Sequence, residues 1–376
     1  MRKLIIKNLG KKPLVGIGPM SINSINSVIE ISKKNNTPIM IIPSRRQIDY
    51  NQGYVGNLNT KKFSRYLNNK KNIIICRDHG GPWQSDIEQS KNMNLRKAMN
   101  SSKKSFEHDI LSNFKILHLD PSIDIHSKLT IDQIIDRIKE LYEHCWSFAR
   151  RNNKKILFEI GTEEQNGLLN SFESYKYTFN KISKFCDSNK IIKPTFFVVQ
   201  FGTKVMEDKN IGNFNEIKNF ADLKKKNKEF IKINNFLKKN NIYTKIHNVD
   251  YISDKHLYFL KKSKVGAVNI APEFGVVETR ALIATLKQNN LKELLNRFLK
   301  LSYNSKKWEK WVINKSKISK LKCSELSGHY VFSNKEFIKI KNEANKYLKK
   351  KNIDLNLVMY NSVYQSIFRY IKILNY

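Results

Sequence analysis

Asp78 and His79 stand side by side at the end of an apolar run, with Gly80, Gly81 and Pro82 behind them. A carboxylate can carry a proton and a neutral imidazole can hold a divalent ion, so the pair offers acid–base chemistry and a metal ligand at one point. Adjacent side chains on a strand point to opposite faces, but where the strand frays both can turn to one side. The glycines would let a substrate approach the backbone. The plainer alternative is a turn after a buried strand, in which Asp78 caps the next helix. Other apolar runs also end in polar residues: His118 with Asp120, Glu159 and Glu163 about Gly161, Gln200 before Gly202, and His247 with Asn248 and Asp250. His118 and Asp120 share a strand face, as do Glu159 and Glu163. Either glutamate could bind metal or polarise a sugar hydroxyl, Gln200 could hydrogen-bond one, and His247 is the second candidate metal ligand. Lys245, on the face of His247, would be a Schiff-base nucleophile only if apolar surroundings lowered its pKa. Arg45, Arg46 and Gln47 follow the second run, and Arg280 reads as opening the last barrel helix; either arginine site could clamp a phosphate. For Arg45 and Arg46 a solvated surface is an equal alternative. His108, His126, His144, His256 and His329 fall on helix-like or loop segments and receive no role.

The elements that must position these groups are eight short apolar runs: 14–21, 38–44, 72–79, 114–122, 155–163, 194–202, 243–250 and 265–272. They are nearly continuous in apolar residues, as parallel strands buried on both faces are. Helix-length segments separate them. Ile131, Ile134, Ile135, Ile138, Leu141, Tyr142 and Cys145 keep a helical period, and Thr130 with Gln133 forms a capping box. Ile25, Val28 and Ile29 form such a stripe after the first run, and Leu282, Ile283 and Leu286 after the eighth. Eight strand–helix units predict a (β/α)₈ TIM barrel over residues 1–300, whose polar strand ends would converge on one mouth. Gly16-Ile17-Gly18-Pro19 breaks the glycine pattern of a dinucleotide fold. Residues 301–376 lose the strand-like runs. They read as a helical extension with Trp308 and Trp311, a helix over 334–350 with Ser333 and Glu336 as its capping box, and a last amphipathic segment carrying Met359, Val363, Ile367 and Ile371. This extension would pack on the barrel or on a partner subunit.

No apolar stretch is long enough to span a membrane, and no signal-peptide pattern opens the chain, so a cytoplasmic protein is expected. Cys76, Cys145, Cys186 and Cys323 are far apart and read as buried free thiols. The net charge of +36 comes from lysines scattered over the whole length, with Asn and Ile also abundant. A nucleic-acid surface would concentrate arginine and aromatics in one segment, so a nucleic-acid partner is disfavoured and compositional drift preferred.

The chain resembles the class II tagatose-bisphosphate aldolase subunit family often called non-catalytic, the Z-type subunit. The resemblance is carried by Gln47-x-Asp49 with Gly53-Tyr54-x-Gly56, Asp78-His79-Gly80-Gly81-Pro82, and the run from Lys115 to Ser122 that contains His118 and Asp120. It continues with Ile160-Gly161-Thr162-Glu163, Val198-Val199-Gln200-x-Gly202 and His247-x-x-Asp250-Tyr251, in order over roughly residues 12–300. It implies a metal-dependent barrel with Asp78 as the proton carrier and His79 and His247 as ligands of a divalent ion, zinc foremost. Related catalytic chains use a third histidine; none ends the sixth or eighth run, which leaves Glu163 or Gln200 as substitutes. Asp49 replaces the family's usual Asn, Gln52 its Gly, and Glu273 is added in the eighth strand region. The expected substrate is a sugar or sugar phosphate, met by Asp78, Asp120 and Glu163 as catalytic groups and by Arg45, Gln47, Gln200, Asp250 and Arg280 as binding groups. Aldol cleavage of a ketose bisphosphate is the leading expectation. Epimerisation of a ketose or sugar acid on the same barrel, and a non-catalytic role stabilising a second aldolase subunit, stand as alternatives, with a homo-oligomer also possible.

Overall fold

The computed structural model describes residues 12–162 and 171–375. Eight parallel strands close into a barrel: β1 Leu14–Ile17, β2 Ile39–Ile41, β3 Ile73–Gly80, β4 Ile116–Leu119, β5 Leu157–Ile160, β6 Phe196–Val198, β7 Tyr243–Ile246 and β8 Ala267–Ile270. Seven lie within the apolar runs, and β3 overruns the third by one residue, to Gly80. Neighbours follow chain order, and β8 pairs with β1 to close the ring. A two-stranded antiparallel ribbon, Val205–Met206 with Lys209–Asn210, rises after β6.

Side chains of even spacing point inward and stack in layers. The lowest layers are apolar, with Leu14, Met40, Ile74, Cys76, Ile116, Leu157, Phe196 and Ala267 packed together. Two residues further along these strands come Gly16, Ile42, Asp78, His118, Glu159, Val198 and Asn269, with Lys245 joining from β7, so much of the barrel interior turns from hydrocarbon to polar groups within one step. The opposite faces of the strands pack against the surrounding helices in the main core, which includes Val15, Ile17, Leu117, Phe158, Phe197 and Val268.

The helix Ile131–Arg151 buries the expected stripe and carries the Thr130–Gln133 capping box. The last barrel helix, Pro272–Gln288, is opened by Pro272 at its first turn, so Arg280 sits at its middle rather than its start. In the extension, the helix Lys335–Lys349 is capped by Asn334, whose side chain accepts from the Glu336 N–H. The expected cap, Ser333, instead donates its hydroxyl to the Tyr54 carbonyl at 2.7 Å and ties the extension to the barrel rim. All four cysteines are buried and free. No helix among the described residues is long and apolar enough to cross a membrane.

The final helix, Leu355–Asn375, packs against both Ile22–Lys34 and Pro272–Gln288, and its Val363, Ile367, Tyr370, Ile371 and Leu374 join the main barrel core. Ile367→Ala should therefore lower stability by about 2–5 kcal/mol. Urea unfolding followed by tryptophan fluorescence and by circular dichroism should give one coincident transition; two separated transitions would show that the extension folds apart from the barrel.

Candidate metal centre and active site

At β3 the regular pairing with β4 slips between Arg77 and Gly80, and His79 takes a positive φ of 44°. A left-handed histidine costs of order 1–3 kcal/mol and persists only when its surroundings over-determine it. The break cancels the alternation of the strand, so Asp78 and His79 both face the mouth. Two supports hold it. Arg77 points outward, fully buried, and makes a two-pronged ion pair with Asp109 at 2.6 and 2.7 Å. Arg45 donates to the Gly81 carbonyl at 2.9 Å. A Cβ on Gly81 would lie 2.1 Å from the Asp120 carbonyl oxygen, so this glycine serves the close approach of the turn to the end of β4.

Three imidazoles meet above the apolar floor. His79 from β3, His118 from β4 and His247 just past β7 have ring centres 5.1–5.3 Å apart, each pair tilted or edge-on. Asp78 Oδ1 lies 3.5 Å from His118 Nδ1 and 4.0 Å from His247 Nε2. Glu159 Oε1 lies 3.1 Å from His247 Nε2 and 3.7 Å from His118 Nδ1. Donor atoms of Asp78, His118, Glu159 and His247 all fall within 4.8 Å of one another, and those of His79, His118 and Asp120 form a second such group. Nitrogen and oxygen ligands sit about 2 Å from a zinc-like ion, hence within roughly 4 Å of each other, so the donor set fits a divalent cation in size and chemistry. Asn269 Nδ2 bridges Asp78 Oδ1 at 3.1 Å and His247 Nε2 at 3.2 Å, touching the lone pairs a cation would take.

Burial by itself would push these carboxyls up, but Lys245 and the surrounding imidazoles outweigh it. His79, His118 and His247 hold Asp78 far below the usual carboxylate range. Lys245 and the imidazoles take Glu159 down to about 2. His79, whose Nδ1 lies 2.5 Å from Asp120 Oδ2, brings Asp120 to about 2. Against its own burial, His79 rises to about 9 beside Asp78 and Asp120. Burial lowers His247. Asp120 is fixed in turn by Gln84 Nε2 at 3.1 Å and the Ser122 hydroxyl at 2.5 Å, an arrangement that orients the His79 ring.

The cluster opens into a cavity of about 540 Å³, whose lining includes Gln47, Asp78, His79, Asp120, His247 and Asp250. Asp250 Oδ1 accepts from the Ala271 and Glu273 N–H groups at 2.9 Å each, and burial beside Glu273 pushes its carboxyl up to about 8. Gln47 accepts from Ser44 N–H at 2.7 Å. Three sequence candidates fall elsewhere. Arg45 is buried against Asp49 and Glu88 at 3.0 and 2.6 Å, with no free edge for a phosphate. Arg280 pairs with Asp208 and Glu325 away from the mouth. Gln200 is buried outside the cavity lining, its backbone N–H donating to the Tyr175 hydroxyl. Glu163 lies outside the described residues. Lys245, weighed as a Schiff-base nucleophile, donates to Glu159 Oε2 at 2.6 Å, and this carboxylate raises its pKa against the effect of burial.

No protein-family model and no curated protein matches this chain. Solved structures do. A probable tagatose 6 phosphate kinase from Sinorhizobium meliloti 1021 aligns at TM-score 0.74 and 14% identity over 96% of this chain and 100% of that one. Fructose-bisphosphate aldolase from Campylobacter jejuni aligns at 0.55 and 12%, over 100% and 92%. Fructuronate-tagaturonate epimerase from Cohnella laeviribosi aligns at 0.53 and 10%, over 97% and 81%. What they share with this chain is the barrel.

Several site residues were not assigned from sequence. His118 and Glu159 were visible at strand ends, but not as parts of one donor set; their even spacing from Asp120 and Glu163 was the available signal. Asn269 had none. Lys310, Trp311 and Tyr330, which reach the mouth from the extension, are too distant in sequence to suggest it. The Glu159–Lys245 pair gives a sharp test. Glu159→Leu should destabilise by about 3–5 kcal/mol because Lys245 is left buried and unpaired, and Glu159→Leu with Lys245→Met should recover most of that loss in chemical denaturation. Additive losses would dismiss the coupling.

Proposed function

We propose that this chain is a metal-dependent sugar or sugar-phosphate enzyme of class II aldolase type, acting beside a ketose carbonyl. The observation that carries the reading is the triangle of three imidazoles flanked by Asp78 and Glu159 at an open barrel mouth. His118, His247 and Glu159, whose donor atoms fall in one group, would hold the ion, and His79, whose donor atom groups with those of His118 and Asp120, would join them by a small shift of its ring. A bound divalent ion supplies polarisation of the carbonyl and stabilisation of the enediolate charge. Asp78, kept ionised by its neighbours, takes the proton; Asn269 holds its Oδ1, while Oδ2 lies 3.8 Å from His79 Nε2. Asp120 orients His79. Lys204 and Lys310, with Arg46 held by Asp86 at 2.7 Å, set a basic rim above the carboxylate-bearing centre, which suits a substrate with an oxygen-rich head and a phosphate or carboxylate tail. Lys310 Nζ sits 4.9 Å from the Trp311 ring centre and 5.2 Å from that of Tyr330, which keeps it at the mouth.

Cleavage breaks the carbon–carbon bond next to that carbonyl as the hydroxyl on the departing carbon gives up its proton, whereas epimerisation removes the proton from the carbon itself; both leave an enediolate. A second reading, a stabilising subunit for another aldolase chain, draws on exposed Ile313, Leu321, Ile338, Tyr347 and Leu357 in the extension.

Elemental analysis of purified protein should find about one zinc-like ion per chain, lost in a folded His79→Ala/His247→Ala variant. Ketoses and their phosphates incubated in D₂O should exchange the proton beside the carbonyl, and Asp78→Ala should slow that exchange by roughly 10²–10⁴-fold. Product analysis then separates cleavage from epimerisation. Protein that takes up no metal even after reconstitution would overturn the enzyme reading, and activity appearing only with a co-purified second barrel chain would favour the subunit role.

A further inference from the structure

Barrels of this kind frequently hold a substrate phosphate between the loops after the seventh and eighth strands, where backbone N–H groups at a helix start point at the ligand. In this chain those groups are already engaged. Asp250, just past β7, accepts through Oδ1 from the Ala271 and Glu273 N–H groups at 2.9 Å each. Pro272 between them has no N–H, and the Phe274 N–H goes to the Ala271 carbonyl at 3.2 Å. After β7 the Val249 N–H goes to the Asn269 carbonyl at 3.1 Å and the Tyr251 N–H to Glu273 Oε2 at 2.6 Å. Glu273 itself stands in the first turn of the helix Pro272–Gln288 and accepts also from the Ser366 and Tyr370 hydroxyls. An anion placed here would have to displace Asp250 from both N–H groups and lie beside the Glu273 carboxylate. Burial pushes the Asp250 carboxyl up to about 8, but protonated or not its Oδ1 fills the same two bonds.

The rim supplied by the extension has the other sign. A side cavity of about 170 Å³ opens off the mouth and shares Arg46, Tyr54, Lys310 and Tyr330 with it. Arg46, Lys306, Lys307 and Lys310 line it against Asp86 and Glu309. Asp86 pairs with Arg46 and Lys307 at 2.7 and 2.5 Å, and Glu309 with Lys315 at 2.9 Å; Lys306 and Lys310 make no ion pair among the described residues. Lys204, on the ribbon whose Asn210 donates to the Asp250 carbonyl, adds one flexible charge to the mouth. Asn269, two residues before Ala271, touches both Asp78 and His247. The Asp250 wall therefore borders the centre and meets the short end of a ketose, while the lysines of the extension meet its long end. Resting on the ketose reading above, we infer that the substrate carries one anionic group, on the end remote from its carbonyl, and that Asp250 is the specificity residue that admits a hydroxyl and refuses a phosphate at the near end. A ketose bisphosphate is then not the substrate.

Titration calorimetry on the full, metal-loaded chain carrying Asp78→Ala, in which turnover is slowed, tests this. The ligands are tagatose and fructose as free sugars, 1-phosphates, 6-phosphates and 1,6-bisphosphates, together with fructuronate. The 6-phosphate or fructuronate should bind roughly tenfold or more tightly than the free sugar, the 1-phosphate and the bisphosphate. Whichever of the two binds better identifies the anionic group as phosphate or carboxylate. Asp250→Ala, which frees two N–H groups, should cut the preference against the bisphosphate roughly tenfold. Asp250→Asn, whose amide oxygen keeps both engaged, should retain that preference within about threefold. Lys310→Met should cut the preference for the anionic ligand over the free sugar roughly fivefold to tenfold, and serves if Asp250→Ala fails to fold. A 1-phosphate or bisphosphate that binds as tightly as the 6-phosphate and fructuronate overturns the assignment, as does an unchanged preference in a folded Asp250→Ala variant. Failure of every ketose to bind would instead sink the ketose reading itself, and this specificity with it.

Discussion

The Glu159–Lys245 ion pair is the constraint on which the rest of the site depends. It lies directly above an apolar floor, where a lone carboxylate or ammonium would be prohibitively costly. Paired at 2.6 Å through Glu159 Oε2, the two charges cancel, and Glu159 Oε1 remains free to reach His247 and His118. The pair spans β6, the one neighbour of both β5 and β7, whose inward Phe196 and Val198 bring no charge. A slip of one residue in any of these strands would turn Glu159 or Lys245 outward and leave its partner stranded. Register is thus fixed by electrostatics as well as by hydrophobic burial, and the imidazoles inherit that register.

The strands were legible because each is a compact apolar run buried on both faces, and the polar residues that end the runs follow directly behind them. Legibility of the site was uneven for a physical reason. Sequence shows which residues sit at strand ends, and so Asp78, His79, Asp120, His247 and Asp250 were read as strand-end groups and do line the mouth. It does not show the stagger between strands, which decides which of two alternating residues reaches the centre. His118 and Glu159 were read only beside Asp120 and Glu163, two residues further along their strands, and the third imidazole of the cluster is on β4 rather than at the sixth or eighth strand. Charge alone also misled: Arg45 and Arg280 have the shape of phosphate clamps, but Asp49 and Glu88 take the donors of Arg45, and Asp208 and Glu325 hold Arg280 away from the mouth. The glycines of the Asp78 turn serve backbone packing, a use that spacing cannot distinguish from substrate access.

The extension is bound into this arrangement through Glu273. Its carboxylate accepts from the Tyr251 N–H at 2.6 Å, from the Ser366 hydroxyl at 3.2 Å and from the Tyr370 hydroxyl. Asp250 in turn accepts from the Ala271 and Glu273 N–H groups, capping the start of the last barrel helix. The ends of β7 and β8, which carry His247 and Asn269, are therefore held by hydrogen bonds that run to the final helix of the chain. Residues that look like an appendage in sequence set the position of strand ends that carry a candidate ligand and its neighbour Asn269. Lys310, Trp311 and Tyr330 reach the mouth from the same extension, so its packing determines both the floor geometry and the rim. A barrel cut near residue 300 would keep every candidate ligand and lose what holds two of their strand ends in place.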